Sequence, residues 1–196
     1  MSETRREILK NIAMAVTLAG VPADAAQHVH HAAAEAKSAG GGKYTPRLLN
    51  AHEFETTKRL AELIIPADEA SGSAVEAGAP EFIDLIGANN EALGTEIVGG
   101  LAWLDRAMEK RGGKQFIRST QAEQTAMLDQ IAFRKNSTPE LQPGIVFFDW
   151  IRRLTTDAFY TSQIGVKDVG YVGNKGMTKF EVPLVAIEYA VKRSGL

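Results

Sequence analysis

"IVFFDWIRRLTTDAFYTSQIG", residues 145–165, is the stretch on which the fold of this chain turns. Phe147, Trp150, Ile151, Leu154 and Ala158 fall on one face at helical spacing, while Phe148, Phe159 and Tyr160 lie off that stripe. A helix apolar over so much of its circumference is either central in a bundle or shared with a partner.

Upstream of it the same period recurs, punctuated by helix signals. "TQAE", residues 120–123, is a capping-box pattern above an apolar stripe of Met127, Leu128, Ile131 and Ala132. "NSTPELQPG", residues 136–144, separates that helix from the central one and reads as a loop. "EIVGGLAWLDRAMEKRGG", residues 96–113, is helical and ends at its Gly112-Gly113 pair. Before it, Pro80 opens a helix through Phe82, Ile83 and Ile86, and Gly87, Asn89, Asn90 and Gly94 predict a break. "NAHEFETTKRLAELII", residues 50–65, begins at a candidate N-cap, Asn50, and Pro66 stops it.

The expected fold is therefore mainly α: a small helical domain over residues 48–165 with extended tails. Residues 166–196 hold many glycines and no sustained period, and read as an extended tail that docks on a partner, with a short helix after Pro183. "QHVHHAAAEAKSAGGGKYTP" makes residues 26–47 an expected flexible linker, helical at most briefly at its alanines, its His28, His30 and His31 solvated. No internal repeat is evident.

Composition excludes several functions. With no cysteine, the chain has no disulfide, thiolate metal site or cysteine nucleophile of its own. A net charge of −2 without a basic run argues against nucleic acid as a partner.

The N-terminus reads as an export signal over residues 1–25. Arg5 and Arg6 precede a mildly apolar run, Ile12 to Val21, followed by Ala23-Asp24-Ala25 in A-x-A order. "TRREILK" resembles the twin-arginine signal, which addresses already folded proteins to the twin-arginine translocase.

No catalytic constellation is legible. Asp68 and Glu69 are neighbours in a turn, and Asp68 is expected to bind backbone amides there rather than move protons. A carboxylate enzyme would need Asp68, Glu69 and Asp84 to converge in one pocket. His52, in a first helical turn, reads as solvated. "GYVGNKG", residues 170–176, lacks the strand–helix context of a dinucleotide loop. The segment between the first two helices, "IIPADEASGSAVEAGAPEFID" (residues 64–84), reads as a rigid corner whose small residues let a partner approach. Interface candidates are Pro66, Asp68, Gly78 and Pro80 in that corner, Phe147, Phe148, Trp150, Phe159 and Tyr160 on the central helix, and Gly170 and Tyr171 in the tail.

"LAELIIPADEASGSAVEAGAPEFID" together with "FFDWIRRLTTDAFYTSQIGVKDVGYVG" resembles the gluconate 2-dehydrogenase subunit 3 family over roughly residues 48–173. The family's I-I-P-x-D is present. Its P-G-A stands here as Gly72-Ser73-Ala74, and its Gly-Val as Gly78-Ala79-Pro80. The resemblance implies a non-catalytic, cofactor-free small subunit that supports folding and twin-arginine export of a flavoprotein. That partner would be of glucose-methanol-choline type, carry FAD, and oxidise a sugar, sugar acid or glycoside. A cytochrome c is a further partner in such complexes, which are periplasmic and membrane-associated. The competing expectations are an exported binding or scaffold module with no dehydrogenase partner, and the carboxylate enzyme.

Overall fold

The computed structural model describes residues 23–170, 182 and 184–194. Among them all regular structure is helical. The α-helices are α1 (Ala23–Ala39), α2 (Ala51–Ile64), α3 (Ala79–Asn89), α4 (Glu91–Gly112), α5 (Gln121–Ile131), α6 (Gln142–Tyr160), α7 (Gln163–Asp168) and α8 (Leu184–Ser194). Single 3-10 turns at Phe116–Arg118 and Arg134–Asn136 flank α5.

Local signals account for most boundaries. Asn50 and Thr120 each accept a hydrogen bond from the backbone N–H three residues on, and Glu53 and Glu123 accept one from the cap residue's own N–H. Each side chain thus satisfies a donor that the helix itself leaves open. The expected break falls at Asn90, which ends α3 and caps α4 through Leu93 N–H at 3.0 Å. Gly113, at φ 70, closes α4. One boundary differs from the expected loop at 136–144: α6 begins at Gln142, because Pro143 suits a first helical turn that needs no N–H donor.

Helix α6 is the centre of the bundle, packing against α1 to α5 and α7. Phe147, Ile151, Leu154, Ala158 and Phe159 are buried on it, and Phe82, Ile83, Leu85, Leu60, Ile97 and Leu104 close around them. Each of these leucine, isoleucine and phenylalanine side chains stabilises the fold by about 1.5–3 kcal/mol relative to remaining in water. The α4–α6 contact is the most extensive among the described elements. Gly100 lies against the Phe147 ring and Gly144 against the Trp103 ring, so each helix supplies a gap for the other's aromatic.

The linker expected at 26–47 is overturned. Its first part is α1, and Ala26, Val29 and Ala33 bury a narrow stripe against α3 and α6. Two alanines and a valine at i, i+3 and i+7 give a weak hydrophobic signal, yet their small size brings the helix close to the core. His30 is not a solvated side chain. Its ring packs 5.2 Å from that of Phe82, and its Nε2 is 3.1 Å from Thr161 Oγ1. Burial holds the His30 imidazole below its usual pKa, so folding favours the neutral ring. The resulting stability is present above the ordinary value of about 6.5 and falls as pH drops below it, because the unfolded chain then binds the extra proton. Thermal unfolding on either side of that pH is expected to show a smaller acid loss in His30→Gln than in the parent. Equal losses would overturn this assignment.

The C-terminal boundary also moves. α7 continues the domain past residue 165, started by Ser162, whose Oγ accepts from Gly165 N–H at 3.1 Å. The short helix expected after Pro183 is present as α8, whose described side chains are all exposed. Arg5, Arg6 and Tyr171 lie outside the described residues.

Candidate docking surface

The corner between α2 and α3 is ordered by its own polar groups. Asp68 Oδ1 accepts from Ala70 N–H and Ser71 N–H, both at 2.8 Å, and Asp68 N–H donates to Ser71 C=O at 3.0 Å. Ser73 and Glu76 bond reciprocally, backbone to side chain, and Ala74 N–H reaches back to Ile65 C=O at 3.0 Å. Asp68 therefore fills the turn-ordering role expected of it. Gly78, at φ 82, adopts the left-handed conformation from which α3 starts.

The small residues of this corner differ from expectation. Ser73, Ala74, Ala77, Ala79 and Pro80 are buried under it, so their size lets the loop lie on its own core. Pro80 is withdrawn as an interface candidate for that reason. Pro66, Ala67, Asp68 and Glu69 form the exposed rim, with Gly78 half-buried.

The three carboxylates of the enzyme reading do not form one site. Asp84 is fully buried, whereas Asp68 and Glu69 are exposed. Asp84 Oδ2 accepts from Tyr44 Oη (2.7 Å) and Arg47 N–H (2.8 Å), and Oδ1 from Leu48 N–H (3.0 Å) and Leu49 N–H (2.9 Å). It ties the strap before α2 onto α3. Its partners lie 35 to 40 residues upstream, and no sequence spacing advertises them.

His52, expected to be solvated, bonds Asp105 across α2 and α4, Nε2 to Oδ2 at 2.5 Å. Asp105 Oδ1 also takes Phe116 N–H at 2.9 Å, so the pair pins three elements together. Among the described residues no group of three or more His, Cys, Asp or Glu side chains is placed to hold a metal ion.

The aromatic candidates on α6 divide by burial. Phe147, Phe148 and Phe159 are buried in the core and are withdrawn as contact residues. Tyr160 is 46% exposed with its edge against Phe159, and Trp150 is half-buried. Gly170 is exposed after α7. Of the two alternatives for this helix, the central one holds, and Trp150 and Tyr160 leave part of its outer face in solvent.

Beside the first half of α6 lies a cluster that the sequence reading passed over. Asp149 joins Arg134 at 2.5 Å and Arg152 at 2.6 Å. The hydrogen bond from Arg134 above all holds its carboxyl below the usual range. Arg153 lies over the Trp150 ring, 5.6 Å from its centroid. The adjacency "DWIRR" carried a signal for it, a tryptophan interleaved with charge on an otherwise apolar helix.

Fold and site together define a small all-helical protein whose carboxylates and histidines brace its helices, and whose outer surface presents aromatic and guanidinium groups. The chain belongs to the gluconate 2-dehydrogenase subunit 3 family, whose pattern matches residues 51–177. The family is that of a subunit of a multi-subunit gluconate dehydrogenase. No curated protein and no solved structure matches the chain. Among the described residues no helix is long and apolar enough to cross a membrane.

Proposed function

We propose that the chain is the non-catalytic small subunit of a periplasmic FAD-dependent dehydrogenase acting on a sugar, sugar acid or glycoside. Its work is to support folding of the flavoprotein and to take it through the twin-arginine translocase. The family match over 51–177 carries this reading. The Arg5-Arg6 pair supports the export role, and the turn-ordering engagement of Asp68 and the burial of Asp84 support an accessory one. FAD, on this reading, resides in the glucose-methanol-choline-type partner, with a cytochrome c as electron acceptor in the same complex. FAD is made in the cytoplasm, so a flavoprotein loaded there gains from an export route that accepts folded cargo, and a partner without a signal can use this one.

The test is co-purification. The chain, tagged at its C-terminus in its native host and gently extracted, is expected to bring down a larger protein with a flavin absorbance spectrum. A colourless, solitary chain would overturn the proposal in favour of a free-standing binding module. In the same preparation Asp68→Asn is expected to leave turnover per assembled complex unchanged while lowering yield. Loss of turnover in fully assembled complex would return Asp68 to the chemistry.

A further inference from the structure

We infer that the cleft beside the first half of α6, walled by Arg134, Asp149, Trp150, Arg152 and Arg153, docks an acidic polypeptide segment of the flavoprotein. The partner's identity rests on the dehydrogenase-subunit reading, and its chemistry rests on the geometry.

The cleft encloses about 720 Å³, room for a few side chains rather than a flat contact. Ile145 and Val146 give it apolar wall, and Val146 is 36% exposed. Its charged lining is three arginines against one carboxylate. That carboxylate fixes two of them: Asp149 takes one N–H of Arg134 and one of Arg152, leaving each planar fork further donors for an incoming acid. Arg153 has no carboxylate within ion-pair distance among the described residues, and stands over the Trp150 ring instead. Arg152 also stands over Phe148, at 5.9 Å, and nearby Lys135 over the half-exposed Phe133, at 5.2 Å.

Guanidiniums held on rings and on a bridging carboxylate lose less freedom when a partner binds. Tryptophan and arginine are also the residues in which interface energy concentrates. The chain as a whole carries −2, so attraction of an acidic segment is local to these three arginines, and the concave, partly apolar wall suits a polypeptide better than a nucleic-acid backbone or a flat lipid surface. A concave site with both guanidiniums and apolar wall suits a segment that pairs Asp or Glu with an apolar neighbour.

The test uses the tagged full-length chain in its native host and the double variant Arg134→Glu/Arg153→Glu. The Arg134 side chain is 85% exposed, and Arg152 keeps its bond to Asp149. Arg106→Glu, on the exposed side of α4, is the control. The double variant is expected to keep its helical circular dichroism and yet capture about tenfold less flavoprotein, with the control at parental level. Poly-L-glutamate is expected to change the tryptophan fluorescence of the parent, less so at high salt, and not that of the double variant. Undiminished capture by a folded double variant would overturn the inference. So would binding of phosphatidylglycerol vesicles through these arginines with poly-L-glutamate ignored. If the parent captures no flavoprotein, the subunit reading falls by itself. The poly-L-glutamate titration then decides the cleft: binding lost in the variant sustains an acidic-polypeptide site, and no binding overturns it.

Discussion

Asp84→Ala is expected to lower the stability of the folded domain by about 3–5 kcal/mol, read as a shift in the urea midpoint at unchanged slope. The carboxylate is fully buried and accepts four hydrogen bonds, three from consecutive backbone amides at Arg47, Leu48 and Leu49 and one from Tyr44 Oη. Alanine leaves all four donors without an acceptor in a space too dry to hydrate them well. Asp84→Asn keeps the shape but presents an amide N–H₂ to donors on one side, and is expected to cost about 2 kcal/mol. Tyr44→Phe removes a single donor and costs about 1 kcal/mol. Burial first, and then the bond to Asp84, push the Tyr44 phenol above its ordinary pKa. A raised folded-state value contributes stability below the ordinary value of about 10 and loses it as pH rises beyond. The tyrosine is thus a protonated donor throughout the neutral range. A loss below about 1 kcal/mol in Asp84→Ala would show that the strap before α2 is held by something other than this carboxylate.

Neighbouring glycines on α4 are expected to respond with opposite signs. A Cβ on Gly99 meets nothing within 4 Å, so Gly99→Ala keeps the full gain in helix propensity, up to about 1 kcal/mol. A Cβ on Gly100 would stand 2.0 Å from Phe147 Cδ2 and 2.2 Å from its Cγ. Those atoms belong to a ring that is 1% exposed in the middle of the core, so it cannot swing aside into solvent. The same propensity gain then opposes an overpacking cost of about 1–3 kcal/mol or more, and Gly100→Ala is expected to destabilise by about 2 kcal/mol net. Thermal midpoints of the two variants on one scale check this. Two stabilising substitutions would mean that α4 and α6 do not approach this closely. The contact matters beyond stability, because α6 carries Trp150, Arg152 and Arg153 on its outer face, and α4 sets the helix's position.

How much of this was legible beforehand follows from the range of each interaction. Asn50 with Glu53 and Thr120 with Glu123 are bonds across three residues, so the helix starts could be read from the letters. Asp68 binds amides two and three residues on, and its role in the turn was equally legible. The family motif is likewise a linear pattern, and it survives in the sequence whatever the packing. Helix α1 was legible only as a brief helix at its alanines, not as a full-length element of the core. Its buried stripe is alanine and valine, and what identifies it as structure is His30 reaching Thr161, 131 residues away. Asp84 could be counted as a carboxylate, but only the arriving strap, 35 to 40 residues upstream, makes it a brace rather than a candidate acid.

Composition and periodicity alone determined that the chain is helical, that its 145–165 stretch dominates the core, and where several helices begin and end. Those properties depend on backbone hydrogen bonding and apolar spacing within one or two turns. Tertiary structure decided which aromatics of α6 are buried and which face outward, and it also decided that Asp149 gathers Arg134 and Arg152. The angle at which one helix meets its neighbours, and so which side of it remains in water, is set by the shapes of side chains on other helices.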